Sequence, residues 1–158
     1  METEDIDYAV AAWREEGRWT VSSLPARTAT SLESLSAALR QLPGEGGVFG
    51  IVVVANDFFF IVRQRGDQAH VLFSDGLAAL DYELADEAAE EMDVIIDEDE
   101  LDDFMPVGDL AILADFGVGP TDVQLLCEDE QLFPDDQVKA IAKQAGFGRE
   151  LAGSLARR

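Results

Sequence analysis

Val48-Phe49-Gly50-Ile51-Val52-Val53-Val54-Ala55-Asn56-Asp57-Phe58-Phe59-Phe60-Ile61-Val62 is the stretch that decides the fold. Residues 48–55 are nearly all apolar, which suits a central strand covered on both faces. Asn56-Asp57 turns the chain into a second apolar run, and Gly66-Asp67 turns it again into His70-Val71-Leu72-Phe73. Strands this close in sequence pair as an antiparallel meander, because a parallel pairing needs a crossover of a dozen or more residues. Alternate rings of Phe58, Phe59 and Phe60 then face opposite sides of the sheet, one side in the core and the other under a helix.

Upstream, Tyr8, Val10 and Ala12 alternate with their neighbours, and Trp19 and Val21 resume after Glu15-Glu16-Gly17, which reads as a hairpin. Leu32, Leu35, Leu39 and Leu42 recur at helical intervals. Thr30 and Glu33 stand at capping-box spacing before them, and Pro43-Gly44 follows. Downstream, Ser74 or Asp75 can cap a helix carrying Leu77, Leu80, Leu84 and Ala88 on its apolar side. After the apolar patch Val94-Ile95-Ile96 comes a dense acidic run. Beyond Pro106-Val107-Gly108 the pattern predicts a short helix capped by Asp109 and stopped at Gly117, then helices over 121–128 and 134–145. The tail 149–158 is expected to form a turn or two and fray. The fold class is α+β: an N-terminal antiparallel sheet of about five strands with one packed helix, then a helical C-terminal half. The expected division is a sheet domain with an acidic helix over 1–96, an acidic loop over 97–105, and a small helical region over 106–158 packed on or appended to it.

Charge is the other informative feature. No lysine or arginine stands between Arg65 and Lys139, yet that gap holds most of the 33 acidic residues of a chain of net charge −22. At its centre runs Asp97-Glu98-Asp99-Glu100-Leu101-Asp102-Asp103, followed by Phe104. Such a field repels nucleic acid and lipid headgroups and attracts basic surfaces. Hydrophobic content of 47% in 158 residues nevertheless fits a folded domain. No apolar run approaches a membrane span, the first residues are acidic where a signal peptide is basic, and Cys127 stands alone; a cytoplasmic protein is expected.

Known chemistries fit poorly. Counted from Asp97, an EF-hand loop would need glycine where Asp102 stands. His70 is the single histidine and has no metal-ligand partner. Carboxylates beside Cys127 (Glu128, Asp129, Glu130) oppose its ionisation, so packing is its expected role. Arg65-Gly66-Asp67 is explained as a hairpin turn. Phosphate-cradling and nucleophile-elbow patterns are missing. The chain is therefore expected to be no enzyme and to hold no cofactor or metal.

Several strings stand together: Val71-Leu72-Phe73-Ser74-Asp75, Pro106-Val107-Gly108-Asp109-Leu110 with Leu113-Ala114-Asp115-Phe116-Gly117, Leu132-Phe133-Pro134-Asp135, and Ile141-Ala142 with Gly146-Phe147. In this order, with the acidic middle and the Trp-containing hairpin, the chain resembles the tRNA adenosine deaminase-associated proteins of actinobacteria over nearly its whole length. The resemblance implies association with a deaminase rather than deamination. Zinc deaminases need His-x-Glu with Pro-Cys-x-x-Cys, whereas here Val71-Leu72 follow His70 and Cys127 has no partner. It supplies no catalytic residues.

The leading expectation is a noncatalytic accessory protein for a basic partner, such as a tRNA-editing deaminase. Asp97, Glu98, Asp99, Glu100, Leu101, Asp102, Asp103 and Phe104 form the contact, with no direct binding to nucleic acid. One alternative is a nucleic-acid mimic or immunity-like inhibitor of a basic nuclease, since six carboxylates in seven residues approach the charge density of a nucleic-acid strand. A weaker one is a metal-dependent enzyme using pairs such as Asp99 and Asp102.

Overall fold

Backbone pairing follows the apolar runs. The computed structural model describes residues 1–44 and 46–157, so Arg158 at the end of the tail lies outside the described residues. The meander is β3 (Val48–Val54), β4 (Phe58–Arg65) and β5 (Gln68–Phe73), preceded by the hairpin β1 (Ile6–Glu15) and β2 (Arg18–Ser23). Among the described residues one antiparallel sheet forms, in the order β2-β1-β3-β4-β5-β6. Its sixth strand, β6 (Val107–Gly108), is the departure from the five expected. It is only two residues long, too short to show alternation, and it comes from beyond the acidic run. Gly108 is required there: at φ 102°, any Cβ would collide with the Val71 carbonyl oxygen.

Period-two alternation sorts the side chains into two cores. Phe49, Ile51, Val53, Phe59 and Ile61 face one way. Val48, Val52, Val54, Phe58, Phe60 and Val62 face the other, and every residue of β3 is buried. The second face is covered by α1 (Leu32–Leu39), α2 (Gly76–Ala79) and α3 (Leu84–Glu91). Gly50 lets α1 approach, since a Cβ there would lie 3.0 Å from a Leu35 methyl and 3.1 Å from one of Leu39. The first face is covered by α4 (Pro120–Glu128), α5 (Pro134–Ala145) and α6 (Gly148–Ala156), which bring Val123, Cys127, Val138, Ile141 and Leu151 against it. The result is a sheet between two helical layers.

Local differences from the expected elements have local causes. The cap of α1 is Ser31, whose Oγ accepts from the Ser34 backbone at 3.1 Å, rather than Thr30. Thr30 instead donates its hydroxyl to the Arg27 carbonyl and closes the preceding turn. Glu87 of α3 accepts from the first backbone N–H groups of α1, Leu32 and Glu33, at 3.2 Å each, a tertiary cap that suits the helix dipole. The helix expected from Asp75 onward divides into α2 and α3. The segment after Asp109 is a set of turns ending in a single 3-10 turn, Ala114–Phe116. The tail does not fray after two turns: α6 buries Leu151 and Ser154, and the Ser154 hydroxyl lies 3.3 Å from that of Ser23 on β2.

Among the described residues two charged side chains, Arg63 and Asp75, are buried. Arg63 continues the face of Phe59 and Ile61 on β4 and is only 3% exposed. Its guanidinium makes a two-pronged bond to Asp115, Nη1 to Oδ1 and Nη2 to Oδ2, both at 2.8 Å. It also donates to the Ile112 carbonyl at 3.0 Å and the Gly46 carbonyl at 2.7 Å. Phe49 and Phe116 place their rings 4.7 and 5.4 Å from the guanidinium carbon. Removing Asp115 leaves this buried cation short of its counter-ion. Asp115→Ala should cost about 2–3 kcal/mol by urea unfolding, less than a fully buried pair because Asp115 is half-exposed. Asp99→Ala, at an exposed position, should change stability by less than about 0.5 kcal/mol. Equal effects would mean that the pair does not hold the fold.

Candidate functional site

The acidic run leaves the apolar patch at Ile96 and is pinned back to the body by Asp75. That carboxylate is 7% exposed. Its Oδ1 accepts from Leu77 and Ala78 at 3.1 and 3.2 Å, capping α2, while Oδ2 accepts from the Phe104 backbone at 3.2 Å. Gly76 N–H donates to the Met105 carbonyl at 3.0 Å. A Cβ on Gly76 would lie 2.8 Å from both Leu101 Cδ1 and Val107 Cγ1, so only glycine lets these side chains lie across the start of α2. Ser74 completes the corner, its hydroxyl accepting from the Phe59 backbone at 2.9 Å.

Within the run, Asp97 Oδ1 accepts from Asp99 at 3.0 Å and opens a 3-10 turn over Glu98–Glu100. Asp97, Glu98, Asp99, Glu100, Asp102 and Asp103 are all exposed. Leu101 is half-buried against Gly76, while Phe104 is 40% exposed at φ 64°. Leu101 thus fastens the segment and Phe104 faces outward. Sequence spacing does not reveal a second apolar contributor: Ile95 is 82% exposed, and with Leu80 it borders a shallow groove whose other side is Asp97, Glu98 and Asp99.

Among the described residues none of these carboxylates pairs with a lysine, arginine or histidine. Burial, then the nearby charges of Asp75, Asp81 and Asp103, push the Asp57 carboxyl above the usual aspartate value of 3.8. Burial and then Glu87, Glu33 and Glu90 push Glu91 above 4.5. Asp115 moves the other way, lowered chiefly by its hydrogen bond to Arg63, against a smaller opposing effect of burial. No group of three or more His, Cys, Asp or Glu among the described residues could hold a metal ion. His70 is half-exposed, with Nδ1 3.8 Å from Asp109. Cys127 is buried, and burial, then Asp75 and Glu128, push its thiol up to about 12, which leaves no thiolate at neutral pH. No helix of the described residues is long and apolar enough to cross a membrane.

The recurring strings noted in the sequence thus hold the corners of the fold. Ser74-Asp75 pins the acidic run, Gly108 admits β6, and Asp115 holds Arg63. Asp135 accepts the Tyr8 hydroxyl at 2.8 Å and pairs with Lys139 at 2.9 Å. Phe147 stacks within 4.7 Å of Trp19.

The family model for Rv3753c-like tRNA adenosine deaminase-associated protein matches residues 7–148. Protein Rv3753c of Mycobacterium tuberculosis (strain ATCC 25618 / H37Rv) is 37% identical over 152 residues, which are 95% of this chain and 88% of that protein. No solved structure matches the chain.

The opposed shifts set a pH profile. Asp57 and Glu91 hold their protons more tightly when folded, so they favour folding as pH falls from neutral through their raised values. Asp115 contributes fully above 3.8, and its contribution is lost as pH falls through its lowered folded value. The melting temperature should therefore rise as pH falls from neutral toward the raised carboxyls of Asp57 and Glu91 and drop once pH falls below the ordinary aspartate value of 3.8, with a shallower acid-side drop in Asp115→Asn. A steady decline from pH 7 downward would contradict these assignments.

Proposed function

Because the chain belongs to the Rv3753c-like tRNA adenosine deaminase-associated protein family, we propose that it is a noncatalytic accessory protein whose acidic edge docks on a cationic surface of a tRNA adenosine deaminase. An enzyme that binds tRNA must present lysines and arginines to phosphates, so it carries the surface that this field attracts. The observation that carries the reading is the pinned acidic run. Asp75, Gly76 and Leu101 hold Asp97, Glu98, Asp99, Glu100, Asp102 and Asp103 on a folded body, beside exposed Ile95 and Phe104. The carboxylates supply long-range steering, and the two apolar side chains supply contact area once the surfaces meet. A segment already ordered loses less entropy on docking than a free acidic tail.

Mixing the purified chain with the tRNA adenosine deaminase of the same organism should give a complex at about 50 mM NaCl that weakens by about 200 mM, near which the Debye length is ~8 Å. Converting Asp97, Glu98, Asp99, Asp102 and Asp103 to their amides should weaken it at least about tenfold and flatten its salt dependence. A ternary complex with added tRNA is expected. Displacement by tRNA would instead identify a polyanion mimic, and no complex at either salt concentration would rule out acidic docking.

A further inference from the structure

Charge changes sign at the C-terminal end of the chain. Beyond Asp136 the sequence holds Lys139, Lys143, Arg149, Arg157 and Arg158 against a single carboxylate, Glu150, in a protein of 33 acidic residues. The described part of this segment is α5 and α6, across the sheet from α2 and the acidic run pinned to it. A groove of about 590 Å³ lies between the two helices, with Lys139 and Lys143 of α5 and Arg149 of α6 on its rim and Gly146, Gly148 and Ala152 on its floor. Glu150 is the one acidic side chain beside it among the described residues. Lys139 and Lys143 are one helical turn apart and share a face of α5. A Cβ on Gly148 would lie 3.1 Å from Lys143 Cα, so glycine lets α6 start close against α5 and brings Arg149 to the same groove as Lys143. Arg157 adds a further cation along α6, its Nη1 3.3 Å from where a Gly153 Cβ would stand. Lys139 pairs with Asp135 at 2.9 Å, whereas Lys143 and Arg149 are exposed and form no ion pair among the described residues.

Cations rimming an open groove fit a polyanion, and two are within reach: the acidic run of a second copy, and RNA. A second copy is disfavoured twice. Each copy carries −22, which opposes association, and docking on an enzyme occupies the very run that would have to fill the groove. The same net charge repels RNA from the free chain. Docking changes that balance, because the enzyme's cations cover the acidic run while the groove stands free across the sheet. At about 0.1 M salt the Debye length is ~10 Å, so the groove's own cations then govern what approaches it. Resting on the docking reading above, we propose that the α5–α6 groove contacts the phosphodiester backbone of the RNA held by the docked enzyme, with Lys143 and Arg149 on phosphate oxygens. Arg149 can hold a phosphate through two N–H donors, and Lys143 acts as a point charge beside it. Such contacts position the RNA and read no sequence. The chain is then a bridge, with its acidic edge on the enzyme and its basic groove on the enzyme's substrate.

Fluorescence anisotropy of labelled tRNA, titrated in about 100 mM NaCl with the deaminase alone and with its complex with the full chain, tests this. The complex should bind tRNA at least about fivefold more tightly than the enzyme alone, while the free chain should not bind it. Lys143→Gln combined with Arg149→Gln should remove that gain and lower the slope of log affinity against log salt by about 1–2. Both residues are exposed, so the double variant should keep the melting temperature and the affinity for the enzyme. If the double variant forms the complex and that complex binds tRNA with unchanged affinity and salt slope, the bridging role is overturned and acidic docking stands. If chain and enzyme form no complex at all, both fall. Concentration-dependent dimers of the free chain that the double variant abolishes would give the groove to a second copy and likewise overturn the contact with RNA.

Discussion

A guanidinium enclosed in a protein of net charge −22 attracts any carboxylate within reach, and the pairing of Arg63 with Asp115 joins three separate parts of the chain. Arg63 stands on β4, reaches the Gly46 carbonyl before β3, and grips the turn that leads into the C-terminal helices. Phe49 and Phe116 pack edge to face beside the same group and continue through Trp19 into Phe147 at the start of α6. The bond therefore sets where the second helical layer begins. It also fixes the downstream end of the segment that carries the acidic run, whose upstream end is held by Asp75 and Gly76.

That arrangement explains how so much like charge can be carried on a folded body. Two continuous cores hold the sheet from both sides, so repulsion between surface carboxylates acts against extensive apolar burial. Cations near the structural joints are engaged locally: Arg63 with Asp115 and Lys139 with Asp135. Among the described residues the carboxylates along 97–103 have no such ion pair.

The meander of β3, β4 and β5 was legible because its strands are apolar, short and divided by turn residues, which leaves one plausible pairing. Helix α5 was legible from Pro134 to Gly146 for the same local reasons. What escaped depends on contacts between distant residues. Two residues cannot display a period, so β6 was silent. The layer formed by α4, α5 and α6 depends on which sheet face is vacant, which no window of sequence reports. Arg63 carries no motif, though its place two residues after Ile61 on the alternating face is a signal of burial. Leu101 looked like an exposed anchor because nothing in the sequence connects it with Gly76. Ile95 merged into an apolar patch, and only the fold separates it from its half-buried neighbours.

The central claim is that the pinned acidic edge is the contact surface for a tRNA adenosine deaminase. Hydrogen–deuterium exchange of the chain, alone and with that enzyme at low salt, tests it most directly. The account predicts slower exchange over residues 94–104 and around Leu80, with residues 139–152 on the opposite helical layer unchanged. Protection confined to residues 139–152, or no protection while a complex forms, would contradict it.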